Sequence, residues 1–364
     1  MYQPGIIALE SADRMGGRVD QILSEWHGGE HFRIPVSCPR FSSGEGKGMI
    51  GASIRDRDLY LLVDVCNASL TYKMNGEPNR MSPDDHYQDL KRVIAACSGK
   101  AARLTVIMPF LYEGRQHRKT ARESLDCAVM LRELEQMGVD RIITFDAHDP
   151  RMQNVVPLLD LENISPALQF TQGLLTEYED LQLDGEHLMF IAPDEGATGR
   201  VVFMASLFGV NIGMFYKRRD YTRIVDGTNP IVAHEFCGGS VEGMDVIVVD
   251  DMIASGGSML DVARQLKARG VRRVFLFATF GLFTSGMDKF DKAFAEGAFD
   301  RIFTTDLVYQ RPELLEREYY FSVGMGRYIA ALIDTLHQGG SLAELVKPAK
   351  RIRQTIGLYG GKGE

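Results

Sequence analysis

Short runs of apolar and β-branched residues recur along the chain, alternating with longer segments in which apolar positions return every three or four residues. The runs at 5–9, 59–65, 104–108, 141–145, 187–192, 211–216, 245–249 and 273–278 predict strands. Segment 84–97 puts Leu90, Val93, Ile94 and Cys97 on one helical face, and Ser82-Pro83 ahead of it supplies a cap residue and a first-turn proline. Segments 124–137 and 259–269 read the same way. Alternation of this kind from end to end predicts an α/β fold with parallel sheets flanked by helices on both faces.

The alternation is weakest over 157–185, which is acidic and irregular, and a domain boundary is expected there near Asn163. Two domains, 1–163 and 164–364, suit a chain of 364 residues, more than one core usually takes. Each half has a strand running into acidic residues, Asp146 in the first and Asp250-Asp251 in the second. Open α/β sheets bind ligands at such strand ends. The last residues, 360–364, are expected to fray.

Composition narrows the function classes. With 41 Lys and Arg against 49 Asp and Glu the net charge is -8, so any phosphate must be bound locally, and nucleic acid and anionic membranes are poor partners. The five cysteines are widely spaced with no CxxC pair, which points to reduced thiols rather than a disulfide or zinc framework. Residues 1–14 lack the pattern of a signal peptide, and no stretch nears the ~20 apolar residues that span a bilayer. A cytoplasmic protein is expected.

The strongest chemical signal is at 247–259, Ile-Val-Val-Asp-Asp-Met-Ile-Ala-Ser-Gly-Gly-Ser-Met, an apolar strand ending in two carboxylates before a small-residue loop opens a helix. Ser255, Gly256, Gly257 and Ser258 can turn N–H groups and hydroxyls toward one phosphate, where the helix dipole also helps. Asp250 and Asp251, one loop away, are placed to accept hydrogen bonds from sugar hydroxyls. A lone Ser-Gly-Gly reads better as a tightly packed loop with Asp as a cap; the strand and acidic pair in front favour a ribose-phosphate site. Taken alone, Lys217-Arg218-Arg219 is a solvated triplet, and a single His148 is more often structural than a ligand. The four cations within 115–122 follow Pro109 and Gly114, which suits a loop at a strand end. Residues 46–51 fit GxGxxG, but no strand precedes them and no adequate helix follows, so they are set aside.

Several segments together resemble a known family. Residues 249–258 resemble the phosphoribosyl diphosphate motif shared by phosphoribosyltransferases and ribose-phosphate diphosphokinases. Phe41-Ser42-Ser43-Gly44-Glu45 resembles the diphosphokinase Phe-Ser-Asp/Asn-Gly-Glu segment, and 109–119 its Pro-Tyr-x-x-x-x-Arg-Gln-Asp-x-Lys stretch. Asp146-Ala147-His148 resembles its Asp-Leu-His, and 193–200 its Pro-Asp-x-Gly-Gly-x-x-Arg. Tyr216-Lys217-Arg218-Arg219 resembles its catalytic flexible loop. With these segments in register from Phe41 to about Lys347, the chain is identified as a member of the ribose-phosphate diphosphokinase family.

The resemblance implies two phosphoribosyltransferase-like domains and transfer of a diphosphoryl group from magnesium–ATP to ribose 5-phosphate. It implies that Arg115, Gln116 and His148 hold ATP, joined by Phe41, Ser43 and Glu45 of a neighbouring subunit in a homo-oligomer, dimer-based and up to a hexamer. It further implies that Asp194, Asp250, Asp251 and Ser255–Ser258 hold ribose 5-phosphate, that His148 and Asp194 lie at magnesium, and that Lys217 and Arg219 are catalytic. Departures from the pattern are Ser43, His117, Ala147, Ala197 and Ala254, with added residues around 67–84 and 217–234. Two rivals stand beside this reading: a transferase that consumes phosphoribosyl diphosphate, and a non-catalytic paralogue of the synthetase.

Overall fold

The computed structural model describes residues 2–219 and 231–360, and of 217–219, 231–234 and 360 only the backbone. The chain divides into two compact units. The first is Met1–Pro166 with Asp306–Tyr309 and Gly324–Val346; the second is Ala167–Thr305 with Gln310–Val323 and Lys347–Glu364.

Among the described residues, the first unit is built on a five-stranded sheet of β1 (Gln3–Ala8), β4 (Arg57–Leu62), β7 (Arg103–Ile107), β8 (Arg141–Phe145) and β9 (Asp160–Ile164), in that spatial order and all parallel. Two antiparallel ribbons lie outside it, β2 (Val36–Ser37) with β3 (Met49–Ile50) and β5 (Thr71–Met74) with β6 (Glu77–Arg80). The second ribbon falls within the added segment 67–84. The first passes through 46–51, which forms no strand-to-helix turn, as expected. The inner strands are buried along nearly their whole length, as a parallel sheet covered on both faces requires.

On one face α2 (Pro83–Cys97) and α3 (Asp126–Gln136) pack Leu90, Val93, Ile94, Met130 and Leu134 against Leu59, Leu61 and Val106. Helix α2 begins where Ser82-Pro83 predicts. Ser82 and Asp85 form a reciprocal capping box, with Pro83 at the first helical position, an arrangement worth about 1 kcal/mol. Helix α1 (Asp13–Trp26) lies against the returning helix α9 (Gly326–His337), which is followed by the short α10 (Ala343–Val346).

The return of 306–309 is tied down by a carboxylate just beyond β4. Asp64 accepts hydrogen bonds from the backbone N–H of Cys66 at 2.8 Å and of Tyr309 at 2.6 Å. Burial dominates those bonds and pushes its carboxyl up to about 7. A raised carboxyl means that the fold binds a proton the unfolded chain does not, so stability falls as pH climbs from about 4 to 7. Asp64→Asn removes the buried charge but keeps only one of the two acceptor oxygens, setting an NH2 group against the other backbone N–H. Its melting temperature should lie below the parent's at pH 5, with a smaller deficit at pH 8 where the parent carries the buried charge; a deficit equal at both would refute this assignment.

The second unit holds a seven-stranded sheet among the described residues, in the order β12 (Ile231–Cys237), β11 (Asn211–Arg219), β10 (Leu188–Ala192), β13 (Asp245–Ile253), β14 (Arg273–Gly281), β15 (Arg301–Thr305) and β16 (Tyr320–Val323). Helices α4 (Ala167–Glu177), α5 (Thr198–Phe208), α6 (Gly257–Lys267), α7 (Asp288–Ala295), α8 (Pro312–Leu315) and α11 (Ala349–Gly360) complete it. Two expectations are corrected here. The sheet is not wholly parallel, because β12 runs antiparallel to β11 at the edge. Segment 157–185 is also more regular than its composition suggests, since it holds β9 and α4. Spatial order reverses between β10 and β13, with β11 and β12 to one side and β14 to β16 to the other. That reversal is the switch point at which open sheets take ligands.

Candidate functional site

The acidic pair and the small-residue loop lie at this switch point. Strand β13 carries Asp250 and Asp251 near its C-terminal end and runs to Ile253. The chain then turns through Ala254 and Ser255 into α6, which starts at Gly257 with Gly256 as its N-cap. Gly256 is the hinge of this turn. Its φ of +78° is left-handed, and a Cβ there would lie 2.0 Å from the Phe290 ring. Ser255, Gly257 and Ser258 are exposed at the start of the helix, where the backbone N–H groups are not used by the helix itself. The loop therefore presents donors and a positive dipole end without a cationic side chain.

Neighbouring β10 delivers Asp194, which caps the short turn Glu195–Ala197 by accepting from the N–H of Gly196 at 3.1 Å. Asp250 is drawn well above the usual carboxylate range, first by burial, then by the charges of Asp251 and Asp194. Three carboxylates from two adjacent strand ends thus form one acidic nest. Arg200 of α5 faces Asp251, with Nη2 3.7 Å from Oδ2. That pairing was visible in sequence only as the end of the 193–200 motif; its partner lies fifty residues further on. Three acids beside the α6 N-terminus suit a polyhydroxylated sugar phosphate. Among the described residues no group of three or more His, Cys, Asp and Glu is arranged to hold a metal ion by itself, so a hard divalent cation there would share its shell with substrate oxygens.

In the first unit, the loops after β7 and β8 carry the other candidates. The Pro109 carbonyl accepts from Thr144 Oγ1 and from the N–H of Phe145, both at 3.0 Å, which knits the two strand ends together. Tyr112 stacks on Tyr87 of α2 at 4.5 Å and donates to Asp84 at 2.7 Å. This anchored stretch leads to Arg115, which is exposed, and to Gln116, which is half-buried. Arg115 lies near enough to Cys66 to oppose the strong upward push that burial gives that thiol.

After β8, Asp146 has φ +40°, a left-handed conformation costly for a residue with a Cβ. Its N–H donates to Ile164 O at 2.9 Å, and the Ala147 N–H to Asn163 Oδ1 at 2.9 Å, so neighbouring β9 holds the kink. The kink leaves His148 exposed and its ring 5.3 Å from that of His117. Asp149 is pinned by Arg151, whose hydrogen bonds hold its carboxyl down at about 2. Sequence reading treated His117 only as a departure; the structure sets it between His148 and Asp149.

Phe41, Ser43 and Glu45 occupy a tight exposed turn. The N–H of Phe41 donates to Glu45 O at 2.7 Å, Ser43 Oγ donates to Glu45 Oε2 at 2.8 Å, and the Phe41 ring is 56% exposed. The β5–β6 ribbon buttresses the turn through Asn75 N–H to Ser42 O at 2.7 Å. The structure thus gathers Asp194, Asp250, Asp251 and 255–258 in the second unit and His117, His148 and Asp149 in the first. Lys217 and Arg219 end β11, paired in register with His234 and Ile231, and their side chains lie outside the described residues. So do most of the added segment 217–234 and the terminal 361–364. No helix among the described residues is long and apolar enough to cross a membrane.

Most of the chain is similar to known proteins. A model of the N-terminal domain of ribose phosphate pyrophosphokinase matches residues 6–138, and one of the phosphoribosyl transferase domain matches 160–290. The ribose-phosphate pyrophosphokinase of Ralstonia nicotianae is 26% identical over 325 residues, 87% of this chain and 92% of its own length. That of Vibrio parahaemolyticus is 27% identical over 315 residues, 85% of this chain and 90% of its own. The crystal structure of phosphoribosylpyrophosphate synthetase from Mycobacterium smegmatis aligns with a TM-score of 0.75 at 20% identity, covering 93% of this chain and all of that one, and the fold is shared.

Proposed function

We infer that this chain, which belongs to the ribose-phosphate pyrophosphokinase family, transfers the diphosphoryl group of magnesium-bound ATP to the 1-hydroxyl of ribose 5-phosphate, releasing AMP. The observation that carries this reading is the switch point of the second unit, where Asp194, Asp250 and Asp251 stand beside the α6 N-terminus. Ser255–Ser258 take the 5-phosphate on backbone N–H groups and hydroxyls. Asp250 and Asp251 accept from the ribose hydroxyls, orienting the 1-hydroxyl. Its oxygen bonds to the β-phosphorus, the bond from that phosphorus to the α–β bridging oxygen breaks so that AMP leaves with that oxygen and the bonding pair, and the hydroxyl proton passes to solvent water.

In the first unit Arg115 grips the phosphates as a planar fork, with Gln116 and His148 beside it. Phe41, Ser43 and Glu45 form an exposed turn suited to the adenine of a second subunit in a homo-oligomer. Asp194 offers an oxygen ligand for magnesium, and His148 suits a water or phosphate in its shell better than the ion itself. Bound with ATP, magnesium would offset phosphate charge as the diphosphoryl group moves. Lys217 and Arg219 stabilise the same charge from the end of β11. All five cysteines are free thiols, which suits the reducing cytoplasm.

The test is AMP formation by the purified chain with ribose 5-phosphate, ATP and magnesium. Lys217→Ala should lower that rate about 10²–10³-fold, as loss of one charge-stabilising group does, while ribose 5-phosphate still binds. Undiminished AMP production would remove Lys217 from the mechanism. Absence of AMP with the parent, accompanied by diphosphate release from phosphoribosyl diphosphate and a base, would assign a transferase instead.

A further inference from the structure

His117 is turned inward in a stretch whose cations face outward. Arg115, Arg118 and Lys119 around it are exposed, whereas the His117 side chain is 13% exposed. Its Nε2 lies 3.6 Å from Asp149 Oδ2, too long for a hydrogen bond but close enough for attraction between an N–H dipole and a carboxylate. With the ring hydrogen on Nε2, Nδ1 is left an acceptor, and it is buried without a hydrogen-bond partner among the described residues. A buried ring with an unused nitrogen is costly unless something else is gained from its placement.

Asp149 is itself held in place, since both its oxygens accept from Arg151. His117 thus joins the irregular stretch after β7 to a fixed point after β8. Upstream, Tyr112 anchors the same loop on Tyr87 and Asp84. Arg115 and Gln116 lie between these two anchors.

We propose that His117 is a positioning residue: docked on Asp149, it seats Arg115 and Gln116 for the phosphates of ATP, and so sets nucleotide affinity. The proposal rests on the nucleotide role given above to that loop. The length and charge of the side chain at 117 then decide the outcome. Glutamine retains an N–H donor at similar reach, alanine loses the link, and aspartate sets a carboxylate against Asp149. Like charges a few ångströms apart push the loop off its anchor rather than merely releasing it.

The experiment measures KM for ATP, KM for ribose 5-phosphate and kcat for His117→Gln, His117→Ala and His117→Asp, with melting curves and calorimetric titration of ATP alongside. The expected result is a KM for ATP near the parent's for H117Q, about tenfold higher for H117A and higher again for H117D. KM for ribose 5-phosphate and kcat should stay within about twofold, and the calorimetric affinities should follow the same order. The proposal is overturned if H117D binds ATP no worse than H117A, or if both KM values and the melting temperature move together. Should H117A fail to fold, the comparison of H117Q with H117D decides alone. Calorimetry separates this proposal from the reaction: a parent that binds ATP in the same variant order but forms no AMP refutes the reaction and leaves the positioning role standing.

Discussion

Replacing Gly256 by alanine should weaken productive binding of ribose 5-phosphate at least tenfold, even though it adds only a methyl group. Two costs coincide. The residue has φ +78°, where a Cβ costs roughly 1–2 kcal/mol. The new Cβ would also sit 2.0, 2.7 and 2.9 Å from three atoms of the Phe290 ring. That ring cannot yield, because it is fully buried and packed edge-on against Phe283 at 5.0 Å. Overpacking of this kind costs a further ~1–3 kcal/mol. The backbone at 255–258 must shift, and with it the N–H groups that would hold the phosphate.

G256A should therefore melt several degrees below the parent, and its KM for ribose 5-phosphate should rise at least tenfold. Gly257 is the control, since a Cβ there meets nothing within 4 Å. G257A should keep the parent's melting temperature. If G256A binds ribose 5-phosphate as the parent does, the turn is not the phosphate cradle.

The second large effect is expected at Asp250, where stability and activity should move in opposite directions. Its carboxyl is raised well above the usual range by burial and by the charges of Asp251 and Asp194. Because the folded state holds the proton more tightly than the unfolded chain, stability is lost as pH rises above the ordinary carboxylate range near 4. Asp250→Asn removes that loss. The variant should melt above the parent at pH 8, and the advantage should shrink toward pH 5.

The same change should lower kcat/KM for ribose 5-phosphate about ten- to a hundredfold. Asparagine keeps one acceptor oxygen and replaces the other with an NH2 group that cannot accept; leaving a buried hydrogen-bonding partner unpaired costs about 1–3 kcal/mol, and tenfold is about 1.4 kcal/mol. A gain in stability with loss of activity is the mark of a site held strained for its ligand. Thermal melts at the two pH values with a ribose 5-phosphate titration check both halves. A D250N enzyme that is less stable at pH 8, or equally active, would overturn the assignment.

Strands β1, β4, β7, β8, β10, β13 and β14 were legible because their apolar runs are largely buried, β11 from its apolar run, and α2 because Ser82 and Pro83 mark its start, whereas β12, β15 and β16 were not read. Helix α6 begins two residues before the periodic pattern does, since Gly257 and Ser258 carry no apolar signal. Strand β9 and helix α4 were missed for a physical reason. An edge strand with Asp160, Glu162 and Asn163 buries little, so its hydrophobic pattern is faint. Helix α1 escaped because Val19 and Leu23 are the only large apolar residues among its buried positions, the others being Gly16, Asp20 and Ser24, and at Gly16 a Cβ would fall 2.2 Å from that of Ala8.

Contiguity explains the same division at the candidate site. Asp250, Asp251 and 255–258 lie in one short segment, so strand, charge and loop were read together. The facing of Arg200 to Asp251 and of His117 to Asp149 joins residues far apart in the chain, and only folding brings them together. Asp64 left no sequence signal at all, because its partner amide belongs to Tyr309 on the returning segment.

The central claim is that a diphosphoryl group moves intact from nucleotide to sugar, and ATP labelled at its β-phosphorus tests it most directly. Incubated with the purified protein, ribose 5-phosphate and magnesium, the label should leave the nucleotide and appear in phosphoribosyl diphosphate, one equivalent for each AMP formed. Label remaining in ADP, or released as free diphosphate while ribose 5-phosphate is unchanged, would contradict it.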